Sequence, residues 1–167
     1  MDHMHHALHH AGHGAQGSTA AGGESLNRTA VVATLHCLLG CAIGEVAGLL
    51  IGTASGWSNG AAIALAVVLA FLSGFALTAI PFLRRGYSLK DAFKIALAAD
   101  AASITLMEIV DNALMLAIPG AMDASIDSLF FWASMAVSLA VAGVAAYPVN
   151  RWLIASGKGH ALAHAHH

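Results

Sequence analysis

The sequence predicts an all-α integral membrane protein: a four-transmembrane-helix bundle with disordered His-rich tails. Three observations lead there. Of 167 residues, 58% are hydrophobic and only 10% charged, whereas a soluble domain carries about 25% charged residues. The apolar residues gather into four runs, each long enough at about 1.5 Å per helical residue to cross a hydrocarbon core of about 30 Å. Clusters of turn residues separate the runs: Ser55 to Gly60, Arg84 to Tyr87, and Pro119-Gly120.

Residues 1–29 read as a tail. His3, His5, His6, His9, His10 and His13 alternate with Ala, Gly and Met, and a Gly/Ser/Ala linker follows. Such a segment has nothing with which to bury a core, so disorder is expected. The leader is not rich in Lys or Arg, and the first apolar run is too long for a signal-peptide core, so no cleavable signal is expected. The transmembrane domain is placed at 30–154, with spans at about 30–53, 61–83, 91–118 and 128–150. Trp57 sits in the first turn as an interfacial anchor. Ser88 with Asp91 three residues on reads as a capping box opening the third helix, and Pro119-Gly120 stops it. Residues 155–167 form a second tail with His160, His164, His166 and His167.

Four spans place both termini on one side. Arg28, Arg84, Arg85, Lys90, Lys94, Arg151 and Lys158 all fall on that side, and the other two loops hold no basic residue. The positive-inside rule therefore puts both tails in the cytoplasm. Seven basic residues against nine acids offer no basic face for nucleic acid.

The first span carries ionisable groups where hydrocarbon makes them costly: His36, Cys37, Cys41 and Glu45. It also carries Gly40, Gly44, Gly48 and Gly52 at four-residue spacing, a ridge that lets a second helix approach closely. The cysteines fall within the arc of the glycines, so the thiols are expected in a helix–helix contact away from lipid. The third span repeats the oddity, with Asp100, Met107, Glu108, Asp111 and Met115 on one stripe. Both helices run in the same direction, so depths compare directly. Cys41 comes level with Met107 and Glu108, Glu45 with Asp111, and His36 with Asp100 and Ser103. No Lys or Arg accompanies these acids. In a low-dielectric interior, either the acids hold protons or a cation sits among them.

Each feature also has a plainer reading. A single Cys is often a small apolar filler, and Met is ordinary packing material. A tag is usually an unbroken His run, however, and here the histidines are interspersed at both ends. The mixture of Cys, His, Glu, Asp and Met suits a transition metal, copper or zinc, better than Na⁺, Ca²⁺ or Mg²⁺.

The blocks LHCLLGCAIGEVAGLLIGTASGWSN, LAADAASITLMEIVDNALMLAIPGAMDA and YPVNRWLIASGKGHA resemble the bacterial family catalogued as domain of unknown function 4396. The likeness runs from about Ala33 to Ala161. It implies small multi-span bacterial membrane proteins, hence the inner (cell) membrane, and supplies no activity.

The expected function is transition-metal binding and transport or homeostasis. The metal ligands would be His36, Cys37, Cys41, Glu45, Asp100, Met107, Glu108 and Asp111 within the bundle, with the tail histidines collecting the ion. Four helices leave little room for a solvated path, so a homo-oligomer is expected. No organic cofactor and no catalytic residue are indicated, since no phosphate loop, dinucleotide fingerprint or Ser-His-Asp set is present. Two alternatives stand beside this one. The first is a thiol–disulfide or quinone redox protein using Cys37 and Cys41, although their spacing is not that of the usual redox pair. The second is an accessory membrane subunit whose acids are protonated and hydrogen-bonded.

Overall fold

The computed structural model describes residues 15–156. They form four helices in chain order: α1 (Ala15–Ala54), α2 (Asn59–Arg84), α3 (Leu89–Ala117) and α4 (Leu129–Ala155). No strand occurs among the described residues. Consecutive helices are antiparallel neighbours, α4 closes back on α1, and α1 meets α3 across the middle of the bundle. Three helical segments, Ser25–Ala54, Asn59–Arg84 and Leu129–Ala155, are long and apolar enough to cross a membrane. Helix α3 is of similar length, but Asp100, Glu108 and Asp111 interrupt its apolar run.

The helix boundaries of α2, α3 and α4 begin within two residues of the expected spans. The N-terminus of α1 differs. It starts at Ala15 and not near Ala30, so the second half of the expected 1–29 tail is helical. Hydropathy marks where a helix enters apolar surroundings and says nothing about where its hydrogen bonds stop. Ala-rich sequence with no Pro extends a nucleated helix at little cost. Arg151 Nε donates to Asn27 Oδ1 at 2.7 Å and ties this extension to α4. At its other end α4 continues through Pro148 to Ala155, leaving the Val144 carbonyl without its usual helical donor. Residues 1–14 and 157–167, with all ten tail histidines named above, lie outside the described residues.

The α1–α2 seam is built from missing side chains. Gly40 lies on Gly74, Gly44 on Ala70, Gly48 on Ala66 and Gly52 on Ala62. A Cβ on Gly40 would stand 2.6 Å from the Gly74 Cα, and one on Gly44 or Gly48 would run into α2 backbone. The glycine ridge thus works within the chain. Its partner is a matching ridge on α2 (Ala62, Ala66, Ala70, Gly74 and Thr78), all buried and four residues apart. The Ser73 hydroxyl adds a bond to the Gly40 carbonyl at 2.5 Å.

The ends are fixed locally. The Ser88 side chain accepts from the Asp91 N–H at 3.2 Å, as the capping box predicts, and its hydroxyl donates to the Asp91 carboxylate at 2.6 Å in place of the reciprocal backbone bond. Gly120 follows α3 with φ of +80°, a conformation that L side chains rarely adopt. On that side of the bundle, the Asn59 amide donates to the Met122 carbonyl at 3.2 Å and the Trp132 indole to the Ile126 carbonyl at 2.7 Å. These bonds fold the α3–α4 loop over the helix ends. Trp57 stays half-exposed in its turn.

Candidate functional site

Helix α3 directs one stripe inward. Asp100, Ser103, Ile104, Met107, Glu108, Asp111 and Met115 are all buried, and they follow the three- and four-residue steps of a helical face. The opposite face, with Leu97, Ile109 and Leu116, is exposed. The part of α1 that meets this stripe supplies Cys37, Cys41 and Glu45, also buried. The cysteines are free thiols. They lie in a helix–helix contact as expected, but each has an α3 carboxylate as neighbour, while the glycines face α2.

The two helices pair side chains in rungs. Cys37 Sγ lies 3.8 Å from Asp100 Oδ1, and Ser103 adjoins the same thiol. Cys41 neighbours Glu108. Glu45 neighbours Asp111 and Glu108. The depths read from the sequence place Cys41 with Glu108 and Glu45 with Asp111, and the structure pairs them that way. His36 behaves differently. It is half-buried, and its Nε2 lies 3.1 Å from the Thr78 hydroxyl on α2. Thr78 in turn adjoins Asp100, so His36 reaches the ladder through a residue that the sequence analysis did not select. Ser138 of α4, equally unselected, adjoins Asp111. Both were hidden for the same reason, since a lone hydroxyl in an apolar run carries no motif.

The charge balance of this interior is one-sided. Among the described residues the buried ionisable side chains other than the thiols are Glu45, Asp100, Glu108 and Asp111, and no Lys, Arg or His is buried with them. Both carboxylate oxygens of Glu45 and of Glu108 lack a hydrogen-bond partner, as do Asp100 Oδ2, Asp111 Oδ1 and Ser103 Oγ. Each such atom costs about 1–3 kcal/mol if nothing satisfies it. The other buried polar pair is satisfied: the Asn150 amide of α4 donates to Thr34 Oγ1 at 2.9 Å, and Thr34 donates to the Ala30 carbonyl at 2.8 Å.

The family follows from the whole folded stretch. Residues 26–159 match the family model described as Domain of unknown function (DUF4396). The chain belongs to this family. No curated protein and no solved structure matches it. The match takes in every rung of the ladder of this DUF4396 chain, and its description assigns none of them a role.

Set against the expected ligand set, the structure brings Cys41, Glu45, Glu108 and Asp111 together at one depth and Cys37 and Asp100 at another. Met107 is buried beside them in the core cluster. His36 stands off on Thr78. Among the described residues, no three His, Cys, Asp or Glu side chains converge as a ready metal-ligand group. The rungs are pairs and most of the carboxylate oxygens are unpartnered, so a ligand set would close only through rotation of the longer side chains, Glu45 and Glu108.

Proposed function

We propose that this DUF4396 chain is a multi-pass protein of a bacterial cell membrane that binds a transition-metal ion, zinc or copper, inside its bundle and serves in that metal's transport or homeostasis. Helix α3 is its fourth span. The other three helices cover its acidic stripe, and its exposed Leu97, Ile109 and Leu116 present an apolar face to lipid. Both termini lie in the cytoplasm, with all the basic residues.

One observation carries the reading. Four buried acids and two thiols meet between α1 and α3, no buried base offsets them among the described residues, and most of the carboxylate oxygens lack partners. Polar groups at membrane depth are expensive and are retained where they act. A bound cation satisfies the lone oxygens and neutralises the acids together. Cys41 adds a soft donor that biases the group toward zinc or copper and away from magnesium or calcium. The tail histidines would deliver the ion to the cytoplasmic end, and a homo-oligomer would complete the path across. No step of this role is catalytic.

The test uses the full chain with the ten tail histidines replaced by alanine, purified from cells supplied with zinc or copper. Inductively coupled plasma mass spectrometry is expected to find near-stoichiometric metal, lost in Cys41→Ser and Glu108→Gln. A metal-free bundle would overturn the proposal and leave the acids as protonated structural groups.

A further inference from the structure

We infer that the turn between α2 and α3 binds an anionic phospholipid of the cytoplasmic leaflet, its phosphate held by Arg84, Lys90 and Lys94 and an acyl chain laid along Leu89, Phe93 and Leu97. This rests on the membrane placement proposed above and is independent of the metal.

Charge selects the ligand. Residues 84–99 hold Arg84, Arg85, Lys90 and Lys94 against a single acid, Asp91. That acid is engaged locally, since its carboxylate accepts from the Ser88 hydroxyl at 2.6 Å. The turn is tight, with Gly86 at φ of +88° and the Tyr87 N–H donating to the Phe82 carbonyl at 3.2 Å. It brings the end of α2 beside the first turns of α3. Lys90 and Lys94 are four residues apart on one face of α3, and both are exposed, as is Arg84. Basic residues clustered just cytoplasmic of a membrane helix strengthen binding to anionic headgroups by about fivefold each.

Depth makes the cluster more than a charged rim. The Phe93 ring meets the Phe75 ring of α2 at 5.9 Å. Phe75 lies nine residues inside the α2 end at Arg84, about 13 Å along the helix axis. Lys94, next to Phe93, therefore leaves its helix deeper than Arg84, at the margin of the hydrocarbon. A helical side chain leans toward the N-terminus of its helix, here the cytoplasmic side. The lysine stem then covers apolar surface while its ammonium stays at headgroup height. An anion meeting it there must itself straddle the boundary, which a phosphate carrying acyl chains does and a free phosphate does not. Leu89, Phe93 and Leu97 follow at steps of four beside the lysines, all exposed, and form the apolar track.

A second copy of the chain fits this patch less well. Among the described side chains the other exposed acids, Asp123 and Asp127, belong to the loop at the opposite end of the bundle. A parallel copy therefore brings neither to this level.

The experiment is native mass spectrometry of the full chain, titrated in detergent with phosphatidylglycerol and, separately, with phosphatidylcholine. Phosphatidylglycerol is expected to be retained in preference, and its affinity to fall about fivefold in Lys94→Gln and again in Lys90→Gln combined with it. Lys94→Arg should keep the affinity, and Arg28→Gln, at an exposed position on α1, should leave it unchanged. Inorganic phosphate in excess should not displace the lipid. Equal retention of the two lipids by the parent chain, an equal loss in Arg28→Gln and Lys94→Gln, or displacement by inorganic phosphate would overturn the site. A dimer that Lys94→Gln dissociates, with no lipid retained, would assign the face to a second copy and also overturn it. Flotation with neutral phosphatidylcholine vesicles reads the membrane placement separately: a chain that floats but shows no lipid preference loses this site alone, and one that does not float loses both.

Discussion

Helix α1 has two seams, and they are built on opposite rules. Toward α2 it offers Gly40, Gly44, Gly48 and Gly52, with no side chains, and α2 replies with alanines. Toward α3 it offers Cys37, Cys41 and Glu45, and α3 replies with acids. The first seam gains its stability from close backbone approach and van der Waals contact, which is how helices associate when lipid is as apolar as leucine. The second gives up stability, since most of its carboxylate oxygens are buried without partners. The difference teaches that one helix can separate its duties by face. The α2 side holds the bundle together and so allows the α3 side to remain unsatisfied.

The largest expected effect breaks the first seam. Gly44→Leu places a side chain where α2 backbone already stands at Ala70. Neither backbone can yield, so the helices must part. A loss of about 3 kcal/mol or more is expected, at the upper end of overpacking penalties, read as the denaturant or thermal midpoint in detergent. A stable Gly44→Leu variant would show that the seam is looser than described. Next comes the buried polar pair of Thr34 and Asn150, near the start of the apolar part of α1 and the end of α4. Asn150→Leu removes the partner of Thr34 and should cost about 1 kcal/mol, while Thr34→Val combined with it should recover part of that loss. On the second seam the expectation turns round. Glu45→Gln and Asp111→Asn should change stability by less than about 1 kcal/mol, because no bond of good geometry to either Glu45 oxygen is lost. Metal content should fall in the same variants. A large stability loss without loss of metal would reverse the assignment of the two faces.

How far these seams were legible depends on their chemistry. The four helices were legible because hydropathy is a sum over some twenty residues and tolerates local noise. The glycine ridge and the acidic stripe were legible because each repeats with the helical period. The rungs Cys41–Glu108 and Glu45–Asp111 followed from depth alone, since α1 and α3 run in the same direction. What escaped has no period. Thr78 and Ser138 are single hydroxyls in apolar helices, and only the packing of α2 and α4 brings them to the acids. The alanines of α2 were overlooked because Ala in an apolar run reads as filler, although Ala62, Ala66 and Ala70 keep the same step as the glycines they face. The early start of α1 escaped because its first residues are polar helix, invisible to a search for apolar length.

The smallest expected effects sharpen the contrast further. Gly60, in the first turn of α2, has nothing within 4 Å of an added Cβ. Gly60→Ala should therefore stabilise by about 0.5–1 kcal/mol through backbone entropy alone, the opposite sign from Gly44→Leu on the facing helix. For the thiols the expected change is none. Cys37 and Cys41 are free and each is turned to an acid on α3. Two cysteines four residues apart on a regular helix are also near the limit of Cα separation for a disulfide. Intact mass after alkylation of the denatured chain should therefore be the same with and without prior reduction. A difference equal to two blocked thiols would revive a redox role for the pair. It would also mean that α1 deforms enough at Cys37–Cys41 to turn both sulfurs away from Asp100 and Glu108, undoing the second seam at the point where it meets the first.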